Sequence, residues 1–316
     1  MKKRVATITK LLAVTTLILT ALSLMAFAPA ASGQTRGHLV SSGERRTYLL
    51  YVPQSYDPAR PTPLVLVFHG FAGWPGNQAR VSQWNELADS EGFIVAYPSG
   101  TSFPKRWRVS GVSVKGKDAL VDVQFVSDLI DTLEGQYNID PARIYANGLS
   151  NGGGMSYLLA CTLSERIAAI GGVAGAYLYP LESCTPTRPV PMMVFHGDAD
   201  PIVPYLGGPS RSFDLPFPSI PQWVQGYAAL NRCEATPQQL EGLAADISGL
   251  RYTGCAANAE VVFYTIAGGG HSWPGGHPLP RWITGSTSQA IDATRTLWQF
   301  FQNHPLAAEK NPANPQ

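Results

Sequence analysis

The chain has 316 residues, with 23 lysines and arginines against 22 aspartates and glutamates and a formal net charge of +1, which excludes the strong field that a nucleic-acid or anionic-lipid partner requires. At 45% apolar and 14% charged the composition excludes a disordered chain and leaves ample material for one large core. The 31 glycines and 26 prolines predict many tight turns.

Residues 1–31 read as a secretory signal: Lys2, Lys3, Arg4 and Lys10 give a basic start, Leu11 to Ala28 is apolar, and Ala28, Pro29 and Ala30 suit cleavage before Ala31. The competing reading is an uncleaved anchor, since the apolar stretch approaches the ~20 residues that span a bilayer. Three threonines within it and the small-residue exit argue against that. Taking the four leader bases from 23 leaves 19 against 22 acids, so the exported chain is mildly acidic, with no membrane attachment expected after the signal is removed.

Short apolar runs then recur: Leu64 to Phe68, Phe93 to Tyr97, Ile144 to Ala146, Ala168 to Val173, Met192 to Phe195 and Val261 to Ile266. Unbroken runs of this length suit strands buried on both faces. Between them lie stretches of helical period, such as Val126, Leu129, Ile130 and Leu133 with Asp122 as the expected cap. The last helix is signalled by a capping box of Ser286 and Gln289, with Ala290, Thr294, Leu297 and Phe301 on one stripe. Alternating strand and helix predicts an α/β fold with a mostly parallel central sheet and helices on both faces. One domain over 32–304 follows, with a flexible tail over 305–316. Residues 205–222 and 236–258 break the periodicity and read as long loops over one face.

The four cysteines, Cys161, Cys184, Cys233 and Cys255, are expected to be oxidised in an exported chain and allow three pairings. Sequential pairing would close two short loops, each worth about 3 kcal/mol on the chain-entropy model. No spacing is C-x-x-C, so neither a metal site nor a redox motif is expected.

Gly148-Leu149-Ser150-Asn151-Gly152 is a G-x-S-x-G pattern between a strand and a helical stretch, the setting of a nucleophile elbow. The bland alternative is a glycine-rich turn. A serine hydroxyl needs a base, and there are six histidines. His38 precedes the sheet, His304 lies in the tail, and His69 and His196 each sit in Phe-His-Gly after a buried strand. His271 and His277 remain. His271 is preferred, because Ala267-Gly268-Gly269-Gly270 is flexible enough to carry it back over the sheet edge. The orienting carboxylate falls to Asp198 or Asp200. Asp198, nearest the strand end, suits a turn acceptor, and Asp200 lies where a later histidine can meet it. The order Ser150, Asp200, His271 is the α/β-hydrolase order. The backbone amides of Asn151 and Phe71 are the expected oxyanion donors.

Together these residues resemble the secreted polyhydroxybutyrate depolymerase and feruloyl esterase family of α/β-hydrolases, related to acetyl xylan esterases. The matching stretches are Val67-Phe68-His69-Gly70, Gly92 to Pro98, Ile139 to Tyr145, Gly148 to Gly153, Phe195-His196-Gly197 with Asp200 and Val203-Pro204-Tyr205, and Gly269-Gly270-His271-Ser272-Trp273-Pro274-Gly275. The resemblance implies a serine carboxylesterase with Ser150 as nucleophile, His271 as base and Asp200 as orienter. It also implies the pairs Cys161–Cys184 and Cys233–Cys255. Two departures stand out: a pair of acids often opens the family's helix before the elbow, whereas Val121-Asp122-Val123 keeps one, and the loops 205–222 and 236–258 look particular to this chain.

No cofactor is expected for acyl transfer through Ser150. Trp74, Trp107, Tyr205 and Trp273 are candidates to flank the acyl group, the alternative for each being core packing. The expected partner is an ester: a hydroxycinnamate ester of plant polysaccharide first, then 3-hydroxybutyrate polymer or oligomers, then acetyl xylan or another polyester. An acyltransferase and a non-catalytic secreted binding protein are the competing classes. The sequence carries no signal of oligomeric state.

Overall fold

The computed structural model describes residues 33–110, 120–210 and 216–307. The expected leader and the tail from 308 onward lie outside them. In chain order the strands are β1 (Gly33–Ser41), β2 (Glu44–Val52), β3 (Thr62–Phe68), β4 (Ile94–Pro98), β5 (Ile139–Leu149), β6 (Ala169–Val173), β7 (Met192–Gly197), β8 (Gly208–Pro209), β9 (Pro216–Phe217), β10 (Gln238–Gln239), β11 (Ile247–Tyr252) and β12 (Val261–Ile266). The helices are α1 (Pro75–Ser82), α2 (Trp84–Glu91), α3 (Val121–Glu134), α4 (Asn151–Thr162), α5 (Ile220–Leu230), α6 (Arg281–Thr284) and α7 (Ala293–Gln302).

Ten strands form one sheet in the order β1-β2-β4-β3-β5-β6-β7-β12-β11-β10. From β4 to β12 neighbouring strands run parallel. Every residue of β3, β4, β6 and β7 is buried, as strands covered on both faces must be. α4 packs on β5 and β6, and α7 on β5, β6 and β7. The apolar stripe of α7 builds an aromatic block, with Phe301 stacked on Tyr145 at 4.8 Å and Trp298 against Phe93 at 4.2 Å.

Antiparallel strands finish both edges, and here the expectations need correction. β1 and β2 pair in register from Gly33↔Val52 to Ser41↔Glu44, so His38 lies within the sheet and not before it. The expected loop over 236–258 holds β11, which pairs antiparallel with β12. β2 and β11 alternate buried with more exposed residues because each has a wet face, so neither shows an apolar run.

Two helix starts also differ. α3 begins at Val121, and Asp122 lies inside it, fully buried. Its Oδ1 accepts from Arg46 Nη2 at 2.8 Å and its Oδ2 from the Arg108 backbone N–H at 2.9 Å. α7 is capped by Asp292, whose side chain accepts from Arg295 N at 3.0 Å, while Ser286 bridges to Gly269. The chain stays docked past the expected boundary: His304 is buried and the Leu306 N–H donates to Ala142 O at 2.8 Å.

Both disulfides are sequential, Cys161–Cys184 and Cys233–Cys255. No helix among the described residues is long and apolar enough to cross a membrane.

Because Asp122 faces Arg46 with neither exposed to water, Asp122→Asn leaves a buried guanidinium without its anion. The expected cost is about 3–5 kcal/mol in urea unfolding; a loss below about 1 kcal/mol, the range of surface pairs, would show that this contact does not hold β2 to α3.

Candidate active site

At the carboxyl end of β5 the chain turns sharply into α4 at Ser150, whose φ of 57° and ψ of −120° are sparsely populated for a residue with a side chain. Three backbone bonds hold it there. Its N–H donates to Val173 O at 2.9 Å, and its carbonyl accepts from Gly154 N at 3.0 Å and Ala176 N at 2.9 Å. The turn fits only because Gly152 lacks a side chain: a Cβ there would collide with the Phe68 carbonyl at the end of β3.

Ser150 opens on a cavity of about 240 Å³. Phe71, Trp107, Arg108, Asn151, Val203 and Phe217 are among its lining residues, with Val109 and Leu178 adding apolar wall. The elbow residue Asn151 does more than offer an amide. Its side chain accepts from the Trp107 N–H at 2.7 Å and donates to Trp107 O at 3.1 Å, which pins the segment after β4 against the elbow. Trp107 Nε1 donates to His69 O at 3.0 Å, and the ring meets Phe68 edge to face at 5.2 Å.

His69 takes no part in a triad. Gly100 N–H donates to its Nε2 at 3.0 Å, so Nδ1 carries the proton and donates to Gly70 O at 2.8 Å. Burial pushes its pKa down to about 4. A neutral imidazole therefore ties the loop after β3 to the one after β4.

At the ends of β7 and β12, His271 Nδ1 lies 2.8 Å from Asp200 Oδ2. The Asp200 side chain is wholly shielded from water. Its Oδ1 accepts from the Ile202 and Val203 N–H groups at 2.8 and 2.9 Å. Burial alone would raise its pKa, but the charge and hydrogen bond of His271 pull it below the ordinary carboxylate range. Val203 thus holds Asp200 with its amide and is also one of the residues lining the Ser150 cavity. His196 stands behind the acid, with Nε2 at 3.0 Å from Val203 O and 3.4 Å from Asp200 Oδ2, and burial lowers its pKa. Among the described residues Ser150 Oγ has no hydrogen-bond partner.

Asp198 turns away: it is exposed, and its Oδ1 accepts from Gly268 N at 2.7 Å. His277 lies on the rim of a separate hollow of about 690 Å³, away from Asp200. The glycine run before His271 is crowded and not loose, since a Cβ at Gly270 would strike the Thr284 carbonyl.

Of the four aromatic candidates only Trp107 lines the Ser150 cavity. Trp273 is buried in the core with Nε1 on Thr294 Oγ1 at 2.9 Å. Tyr205 bonds Thr265 Oγ1 at 2.8 Å and stacks over Phe263 on β12. Trp74 is exposed at the start of α1. Phe217, Leu178 and Arg108 were not legible as cavity residues, because loops that are distant in sequence bring them there. No group of three or more His, Cys, Asp or Glu among the described residues could hold a metal ion.

A family model described as esterase PHB depolymerase matches residues 46–203, half of the chain. NocK of Nocardia uniformis subsp. tsuyamanensis, a protein named as an esterase, is 32% identical over 289 residues, covering 84% of this chain and 82% of its own. Feruloyl esterase C of Emericella nidulans is 26% identical, covering 81% of this chain and 83% of its own. Among solved structures, the acetyl xylan esterase from Aspergillus awamori aligns with a TM-score of 0.58 at 16% identity, over 85% of this chain and 99% of that one, which shows the α/β-hydrolase fold.

The buried histidines set an acid limit on stability. His69 and His196 are held neutral in the fold and protonate more readily once unfolded, so the unfolded chain binds more protons below the ordinary value of 6.5. Stability is expected to fall as pH drops from 6.5 towards 4, by up to roughly 3 kcal/mol for His69 alone. Urea midpoints measured in steps across that window check it, and a flat midpoint would contradict the neutral assignment.

Proposed function

The chain belongs to the esterase PHB depolymerase family, and from that footing we propose that its carboxylic ester hydrolysis runs through an acyl-enzyme on Ser150. The observation that carries this reading is the 2.8 Å contact of His271 Nδ1 with the shielded Asp200, on a loop whose Val203 reaches the Ser150 cavity. Ser150 Oγ attacks the ester carbonyl carbon and its proton passes to His271 Nε2. Asp200 keeps the Nδ1–H oriented and stabilises the imidazolium. The carbonyl oxygen, now an oxyanion, is met by the backbone amides of Asn151 and Phe71. The alcohol leaves with the proton from His271, and water then hydrolyses the acyl-enzyme by the same relay. Ring and hydroxyl come into hydrogen-bond contact when substrate fills the cavity, a tightening common to such sites.

The preferred substrate class is a hydroxycinnamoyl ester of plant polysaccharide. The wall of Trp107, Val109, Leu178 and Phe217 suits a planar aromatic acyl group, and the similarity to feruloyl esterase C points the same way. Hydrolysis of 3-hydroxybutyrate oligomers is the second reading, favoured by the family match. Two disulfides agree with export and action outside the cell.

Ser150→Ala is expected to fold normally and to lose p-nitrophenyl acetate hydrolysis by about 10⁴-fold or more; retained turnover would remove Ser150 from the mechanism. Asp200→Asn should lower kcat by about 10³–10⁴-fold, whereas Asp198→Asn should have little effect, and the reverse order would exchange their roles. On purified protein, methyl ferulate should give a higher kcat/KM than 3-hydroxybutyrate trimer. A higher value for the trimer establishes the second reading. Acylated sugar in place of free acid, with a sugar alcohol present, would make the chain an acyltransferase.

A further inference from the structure

Beside the Ser150 cavity lies a second hollow of about 380 Å³, between the start of β2 and the segment that follows β4. Arg45, Arg46, Lys105 and Arg108 line it, and Glu44 is the one acid among its described lining residues. Without its leader bases the chain carries fewer cations than acids, so this gathering does not follow from general basicity.

The charge here is only partly answered from within. Asp122 Oδ1 lies 2.8 Å from Arg46 Nη2 and 3.7 Å from Arg108 Nη1, so one carboxylate faces two guanidinium groups. Its second oxygen is taken by the Arg108 backbone N–H. In two of the residues that line the hollow, a buried polar atom, Arg108 Nη1 and Thr101 Oγ1, has no hydrogen-bond partner. Polar groups buried in that condition cost free energy.

Arg108 also lines the Ser150 cavity, and it is the cation shared by the two spaces. A planar guanidinium fork matches a carboxylate better than it matches a hydroxyl.

We propose that this hollow binds a carboxylate carried by the ester substrate, with Arg108 joining the anion site to the reacting ester. The proposal rests on the esterase reading above and extends it to the group that the substrate carries away from its scissile bond. Two kinds of ester present that chemistry, a uronate-bearing polysaccharide and the free acid end of a hydroxyalkanoate oligomer.

The experiment compares kcat/KM in two arms: 3-hydroxybutyrate trimer as free acid against its methyl ester, and acetylated or feruloylated xylo-oligosaccharide with against without a uronate group. In at least one arm the carboxylate form should be preferred by about tenfold or more, the scale of one charge-assisted hydrogen bond. The arm that shows the preference identifies the source. That ratio should fall towards one in about 0.5 M salt, and in Arg108→Gln. Because Arg108 contacts Asp122 and its loss can disturb the fold, the surface double variant Arg45→Gln/Lys105→Gln provides a second test and should lower the ratio several-fold.

Equal kcat/KM for both members of each pair would overturn the proposal and leave ester hydrolysis standing. Inhibition by inorganic phosphate as strong as by galacturonate oligomers would also overturn it, since the hollow would then be a general anion site. If no ester, p-nitrophenyl acetate included, were hydrolysed, the esterase reading would fail. Calorimetric binding of galacturonate oligomers, set against neutral xylo-oligosaccharides, would then decide the hollow by itself.

Discussion

A carboxylate without access to water has to be answered by protein donors, because desolvation otherwise costs several kcal/mol. Asp200 and Asp122 are both in that position, and the donors they gather tie the loops at the carboxyl end of the sheet. Asp200 collects two amides of its own loop and the ring of His271. Asp122 collects Arg46 from β2 and the amide of Arg108 from the segment after β4. The first holds one side of the Ser150 cavity through Val203, and the second holds the other through Trp107 and Arg108. The cavity lies between two fixed charges.

The elbow adds a constraint of a different kind. Ser150 sits at a positive φ that its environment has to maintain, and it does so with three backbone bonds and with a glycine where Phe68 leaves no room. Strain stored in this way keeps the hydroxyl at the rim of the sheet and out of the core. Asn151 couples that turn to the neighbouring loop, so the residue beside the serine serves both as helix start and as clamp.

Much of the fold was legible because the central strands are apolar on both faces. β3, β4, β6, β7 and β12 each appear in the sequence as an unbroken apolar run. The edge strands were not legible in that way. β11 alternates through Ile247, Ser248, Gly249, Leu250, Arg251 and Tyr252 because one of its faces meets water, and a short alternating stretch rich in polar residues reads as loop. Asp122 was misread for a related reason: a carboxylate near a helix start looks like a cap until the cation that buries it is found 76 residues away. Trp273 was misplaced because nearness in sequence to His271 says nothing about which way a ring points, and this one points into the core.

What the sequence by itself determined is the chain order of the candidate residues. Strand-ending motifs place Ser150, Asp200 and His271 after β5, β7 and β12, and in a parallel sheet all strand ends of one sense lie along one edge. Only the tertiary structure decided what stands around them. The cavity wall of Trp107, Leu178 and Phe217 and the cationic hollow around Arg108 are assembled from segments far apart in the chain. Their approach depends on buried charges finding partners across the fold, and no local pattern records that.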